Sequence, residues 1–290
     1  MLTMNKKLTG IIPNIMALNT WRGILRYGFF RSFKLMHKLK YETTIPKYYL
    51  TICAIAKNEG AYFQEWIEHH HKLGIEKFYI YDNESEDNTK EVLTPYIESG
   101  LVDYTFFPGK AQQLPAYDHC IDKHRLEAHW IAFVDIDEFI VPIKDRTIPA
   151  FLKRFENVPA VEINWLIYGS GGAEKKETGG VIERFKHHAD WAHTQNRYVK
   201  SIINPRQVFY MIGAHKTGQI SGRAADSHGN PIKKNFHDRE PQHDVIRINH
   251  YAVKSYEEFL VKYNRGRVIV NKPRSLDYFK LRDLNDIKEE

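Results

Sequence analysis

From Tyr49 to Phe139, short continuous apolar runs alternate with stretches of helical period, and few folds accept that pattern. Residues 49–57 (YLTICAIAK) read as a strand buried on both faces. Residues 61–74 place Tyr62, Phe63, Trp66, Ile67 and His70 at helical spacing and close on Gly74. A strand at 77–83, the polar loop ESEDN, a helix over 89–99 stopped by Gly100, a strand at 102–108, a helix over 114–128 and a strand at 129–139 follow. Three strand–helix units closing on a fourth strand predict an α/β fold, a mainly parallel open sheet flanked by helices.

Beyond residue 140 the order loosens: a helix over 148–156 capped by Thr147, a strand at 161–169, and the flexible loop GSGGAEKKETGG. The polar segment 221–244 is expected to be a lid or binding loop. Ser255 and Glu258 form an S-x-x-E capping box for a helix over 257–266.

With 42% hydrophobic and 27% charged residues over 290 positions, the chain is neither disordered nor a disulfide scaffold. Its two cysteines, Cys53 and Cys120, lie in apolar segments and read as buried free thiols. The net charge of +6 is uneven: residues 1–40 carry eight cations and no acid, and the remaining 250 residues sum to −2. Past residue 40 no stripe of cations interleaved with aromatics appears, so no nucleic-acid partner is expected. The basic arm, 1–45, mixes its cations with Trp21, Leu25, Tyr27, Phe29, Phe30 and Phe33. Two readings stay open: an amphipathic segment on an anionic membrane, or a helix packed on the domain with its cations in water. The opening residues make a poor secretory signal and no apolar run reaches the roughly 18 residues of a membrane span. A cytoplasmic location follows as the expectation, with peripheral contact at the inner membrane face open to the arm.

Ligands of open α/β sheets bind at the carboxyl ends of the strands. Here those ends carry Lys57-Asn58-Glu59, Asp82-Asn83, Pro108-Gly109-Lys110 and Asp135-Ile136-Asp137-Glu138. Neither G-x-G-x-x-G nor G-x-x-x-x-G-K-[ST] occurs, which argues against a Rossmann dehydrogenase and a P-loop enzyme. In an extended FVDIDEF segment, Asp135 and Asp137 share a face, and two hard carboxylates at a strand end suit Mn²⁺ or Mg²⁺ with a nucleotide diphosphate. Asp82 is placed either to accept from a ribose or base, or to cap the next helix. The run His69-His70-His71 cannot converge on one ion, because successive helical side chains diverge by about 100°. His215 and His250 each follow an apolar stretch and are candidates for a site or for structure. Trp165 and Tyr168, beside the glycine loop, offer a sugar platform or core packing.

The strings TICAIAKNEGAYFQEWIEHHHKLGIEKFYIYDNESEDNT and WIAFVDIDEF, followed in order by NWLIYGSGG, VIERF, YVKSIINP, GAHK and INHYAVKSYEEFLVKYNRG, resemble glycosyltransferase family 92 and its bacterial relatives. The resemblance covers roughly residues 48–270, leaving the arm and a tail at 271–290 outside a glycosyltransferase domain at 46–270. It implies a GT-A fold, a nucleotide-sugar donor, commonly a UDP-sugar, and a divalent metal, usually Mn²⁺. It implies metal roles for Asp135, Asp137 and His250, and donor roles for Lys57, Asn58, Glu59, Asp82, Asn83, Asp135, His215 and Lys254. Trp165 and Tyr168 stand as acceptor contacts, the acceptor being a glycan or lipid-linked saccharide. Animal members transfer galactose in β linkage, so inversion is expected, with Glu138, Glu183 or Asp190 as base. Ala173-Glu174 stands where relatives tend to carry a histidine, which leaves acceptor identity open. The competing classes are a sugar-nucleotide-binding protein without turnover and a nucleotidyltransferase, though KNEG is not the Gly-rich triphosphate loop the latter needs.

Overall fold

The computed structural model describes residues 24–265 and 276–289. In chain order its elements are α1 (Phe29–Lys40), β1 (Tyr48–Ala56), α2 (Gly60–Lys72), β2 (Lys77–Asp82), α3 (Thr89–Glu98), β3 (Val102–Phe106), α4 (Gln113–His124), β4 (Ala128–Phe133), β5 (Glu138–Pro142) and α5 (Ile148–Leu152). They continue with β6 (Ala160–Ile167), α6 (Val181–Arg184), β7 (His187–His188), β8 (Val199–Ile203), β9 (Val208–Gly213), β10 (Lys216–Gln219), β11 (Ile246–His250), α7 (Tyr256–Arg265), α8 (Asp277–Arg282) and β12 (Ile287–Lys288).

The expected alternation builds the parallel half of an eight-stranded sheet ordered β3-β2-β1-β4-β8-β6-β11-β5. Strand β1 lies between β2 and β4 and is buried from Leu50 to Ala56, which accounts for its unbroken apolar sequence. Cys53 and Cys120 are buried free thiols. Helix α2 turns Phe63, Trp66, Ile67 and His70 to the sheet. His70 is a brace inside the core: Nδ1 donates to the Trp66 carbonyl (2.8 Å) and Nε2 accepts from the Ile140 amide (3.1 Å).

The strand expected over 129–139 is two strands. β4, in the middle of the sheet, ends at Phe133, and β5 begins at Glu138 on an edge four strands away. A flat sheet would hold the two apart by four gaps of about 4.8 Å, roughly 19 Å, while the five residue steps between them reach at most about 18 Å. The sheet must therefore curl. Strand β6 makes the bend: Ala160–Asn164 pair antiparallel with β8, and Trp165–Ile167 pair parallel with β11. The pairs β4–β8, β6–β8 and β5–β11 are antiparallel, since this half lacks the long helical crossovers that parallel neighbours need.

Segment 221–244 is stitched to β6 and does not hang free as a lid. Ala225 exchanges backbone bonds with Ala160 and Glu162, Arg239 pairs with Glu162, and His243 Nε2 meets the Trp165 carbonyl at 2.8 Å. The residues after 276, expected to be a tail, belong to the fold: β12 pairs with β7, and Glu289 receives Arg247 and the Tyr168 hydroxyl (2.6 Å).

Of the basic arm, residues 1–23 lie outside the described residues. The part beyond docks on α4 and β9: Tyr27 and Arg31 bond Asp122 (2.9 and 3.0 Å), and Arg26 lies over the Tyr210 ring. Ile24, Leu35 and Met36 pack with Phe209 and Tyr210. On the other side Leu25, Phe29, Phe30 (87% exposed) and Phe33 face outward. No helix among the described residues is long and apolar enough to cross a membrane.

Candidate active site

The connection between β4 and β5 is anchored by α2, whose Trp66 donates Nε1–H to the carbonyls of Asp135 (3.1 Å) and Glu138 (2.9 Å). Glu138 closes the turn by accepting the Asp135 amide on Oε2 at 2.9 Å. Because the chain has left the strand, Asp135 and Asp137 do not share a strand face; this corrects the extended reading of the D-x-D string. Asp135 accepts from Gln113 Nε2 and Tyr117 OH of α4 (3.1 Å each) and from Lys200 Nζ of β8 (2.9 Å). Asp137 turns to β11 and α7, where His250 Nε2 stands 3.7 Å away and Lys262 Nζ donates to Oδ2.

Among the described residues, Asp137, Glu138 and His250 offer ligand atoms that all lie within 4.8 Å of one another, and all three are buried. Asp135 is not a member of this group, being held by Lys200 instead. Glu138 Oε1 and His250 Nδ1 are buried without a hydrogen-bond partner. Two carboxylates and an imidazole form a hard-to-borderline donor set that fits Mn²⁺ or Mg²⁺.

The electrostatics are dominated by burial. It lifts the Glu138 carboxyl to about 8 against the opposing pull of Lys200. Burial also pushes Asp137 up, but the Lys262 ammonium and His250 outweigh it and hold that carboxylate well below its usual range. His250 is pressed down to about 4 by burial and Lys254 to about 8 by burial and then Lys262. An uncompensated charge in such surroundings is expensive, and Lys200, 1% exposed, touches Asp135 at 2.9 Å and Glu138 at 3.3 Å.

The strand-end loops lie beside this group and are tied to one another. The Asn58 amide, at φ 52°, donates to Ser85 Oγ (2.9 Å), and its Oδ1 accepts the Glu86 amide (2.7 Å). Lys57 and Glu59 flank it, and Glu59 is the N-cap residue of α2. Asp82 accepts the Tyr104 hydroxyl and the Ser85 amide, so its two oxygens already hold the loop. Asn83 donates to the carbonyls of Phe107 (2.9 Å) and Gly109 (2.8 Å), bracing β2 against β3's exit. Lys254 is buried over the Tyr62 ring at 4.0 Å. His215, in the β9–β10 turn, meets the Val199 carbonyl (2.6 Å) and packs on Trp165 and Tyr198.

Three expectations change. Trp165 and Tyr168 are core residues, 5% and 1% exposed, and offer no open ring face to a sugar. Trp165 stacks on Tyr198, lies 4.2 Å from the His250 ring and carries Arg282 above it, so it backs His250. Glu138, fully buried beside Lys200, cannot meet an acceptor hydroxyl in this arrangement and groups with Asp137 and His250. Glu183 on α6 and Asp190 are exposed and outside the buried group; Asp190 holds a turn through the Ala192 amide (2.9 Å).

Sequence reasoning passed over Gln113, Tyr117, Lys200 and Lys262. Lys200 had left a signal, a lone cation between Val199 and Ile202 in a buried strand, which demands a carboxylate partner. Lys262 shares a helix face with Ser255, Glu258 and Phe259, the face that turns inward.

The profile of glycosyltransferase family 92 matches residues 48–289, and the chain belongs to that family. A rice protein of the same family is 29% identical over 114 residues, covering 39% of this chain and 19% of its own length. The Caenorhabditis elegans beta-1,4-galactosyltransferase galt-1 is 27% identical, with 76% of this chain and 52% of that protein covered. The Arabidopsis thaliana galactan beta-1,4-galactosyltransferase GALS3 is 26% identical over 74% of this chain and 43% of its own. The chain thus spans about half or less of these relatives. The match reaches residue 289, beyond the roughly 270 suggested by motifs alone.

Proposed function

We propose that this chain is a metal-dependent glycosyltransferase of GT-A type. It moves a hexose, galactose first among candidates, from a nucleotide-sugar donor, a UDP-sugar, to a hydroxyl of a glycan or lipid-linked saccharide with inversion. The observation that carries the reading is the buried trio Asp137, Glu138 and His250, with a Glu138 oxygen left without a hydrogen-bond partner, in the turn that follows β4 in a family 92 chain. Relatives named as galactosyltransferases support the sugar.

Asp137, Glu138 and His250 would hold Mn²⁺ or Mg²⁺. When bound, the cation would offset charge on the departing diphosphate. Lys200 keeps Asp135 and Glu138 compensated and fixes the turn that presents Asp137. The loops at Lys57-Asn58-Glu59 and Asp82-Asn83, already tied together, form a preorganised floor for the nucleoside, so little ordering cost falls on binding. The buried ammonium of Lys254 offers the diphosphate a second positive contact. Glu183 and Asp190, being exposed, remain the base candidates that an acceptor can reach. The outward aromatic face of α1 supports peripheral contact with an anionic membrane on the cytoplasmic side, where a lipid-linked acceptor would lie.

The test is a screen of UDP-sugars for Mn²⁺-dependent binding, followed by turnover with and without acceptor saccharides. Transfer of sugar is the expected result. Donor binding with no turnover under any acceptor would make the chain a sugar-nucleotide-binding protein.

A further inference from the structure

The carboxylate that would take a divalent ion already holds a cation from the chain itself. Lys262 Nζ donates to Asp137 Oδ2 and to the Ala252 carbonyl (3.0 Å), and its side chain is 11% exposed. It comes from α7, whose first turn is clamped: Ser255 and Glu258 cap it reciprocally, and Arg184 grips both Glu258 oxygens (2.9 and 2.8 Å). The helix is thus fixed, while Lys262 extends from the next turn on a four-carbon stem that can swing without moving the backbone.

Lys262 holds Asp137 Oδ2 while His250 Nε2 faces Oδ1, so an ammonium and a divalent ion on this carboxylate draw on one negative charge and repel each other in buried surroundings. Lys200 is engaged by Asp135 and Glu138, and Lys254 acts on Asp137 through charge alone, so among the described residues the direct ion pair of Asp137 with a lysine is the one with Lys262.

We propose that Lys262 is an internal counter-cation that occupies Asp137 in the donor-free protein, competes with the metal there, and is released when a diphosphate provides it a new anionic partner. The inference rests on the metal-dependent reading above. It makes metal uptake conditional on the donor: Mn²⁺ alone binds weakly, and Mn²⁺ with a nucleoside diphosphate binds well.

The experiment is calorimetric titration of the full chain with Mn²⁺ alone and with Mn²⁺ in saturating UDP, for the parent, Lys262→Met and Lys262→Arg, with melting temperatures recorded alongside. Lys262→Met should bind Mn²⁺ alone at least about tenfold more tightly than the parent, and its gain from UDP should shrink. Lys262→Arg should stay as weak as the parent. The methionine variant should melt lower without Mn²⁺ and recover more of its stability on adding it. If it does not fold, Lys262→Gln, which retains a donor for the Ala252 carbonyl, takes its place with the same expectation. Equal Mn²⁺ affinity in parent and variant overturns the lysine proposal and leaves the metal reading standing. No Mn²⁺ binding by any of them, even with UDP, overturns the metal reading and the proposal with it.

Discussion

At the residue scale, Asp137 lies with Glu138 and His250, while Asp135 lies apart from them against Lys200. The D-x-D spacing made both legible as strand-end acids, but which carboxylate met which partner depended on Lys200, Lys262 and His250, all more than sixty residues away. No local pattern encodes such a meeting. Asp137→Asn should abolish Mn²⁺-dependent stabilisation by UDP and slow sugar transfer about a thousandfold, the equivalent of several kcal/mol of charge stabilisation. Stopped assays at saturating donor and a melting scan with and without Mn²⁺ check both parts, and a parental rate would place the metal elsewhere. His250→Ala should weaken UDP-sugar binding in Mn²⁺ and leave uridine binding nearly unchanged. Equal losses for both ligands, read by calorimetry, would make His250 purely structural. Trp165 stayed open between a sugar platform and core packing because an aromatic beside a glycine loop looks the same in sequence whether its face is open or covered by Tyr198, His250 and Arg282.

At the element scale, the capping box of α7 was fully legible, because Ser255 and Glu258 are three residues apart and need nothing else to find one another. What could not be read was that Arg184, 74 residues upstream, completes it. Burial alone would raise the Glu258 carboxyl; the Arg184 fork and the Ser255 hydroxyl overcome it and draw the group down to about 2. A carboxyl depressed in the folded state below its unfolded value stabilises above the unfolded pKa of about 4.3 and loses that contribution as pH falls toward 2. Arg184→Met should therefore lower stability by about 3–5 kcal/mol at neutral pH, the cost of a buried acid left unpaired. The deficit should narrow below pH 4, as urea unfolding at a series of pH values would show. Helix α1 makes a separate claim. Replacing Phe29, Phe30 and Phe33 with serine should reduce sedimentation with anionic liposomes at low salt without lowering the melting temperature, since these rings face outward. Equal, salt-insensitive sedimentation of parent and variant would remove the membrane contact.

At the scale of the whole molecule, the parallel half of the sheet and strand β6 were legible, and β5, β8 and β11 were not. Three strand–helix units announce themselves by period, whereas β5, β8 and β11 are joined by irregular connections and find partners across long stretches of chain. The curl about β6 follows from that non-local pairing. The C-terminal segment escaped notice for the same reason, β12 and β7 being two residues each. Deleting residues 283–290 would leave Arg247 and Tyr168 without Glu289 and unpair β7. Chemical denaturation should then show a loss of about 2–4 kcal/mol, and an unchanged midpoint would mean that the segment is dispensable.

The pairing of Glu138 with His250 across the β5–β11 ladder has a consequence in time as well as in space. A ribosome adding about 5–20 residues per second delivers His250 on the order of ten seconds after Glu138. Through that interval the parallel half can assemble, while β5 waits as an unmatched edge whose one acid, Glu138, has no imidazole to meet it. The nascent chain passes through a stage when its scaffold exists and its chemistry does not, and the unpaired edge is open to other chains until β11 arrives.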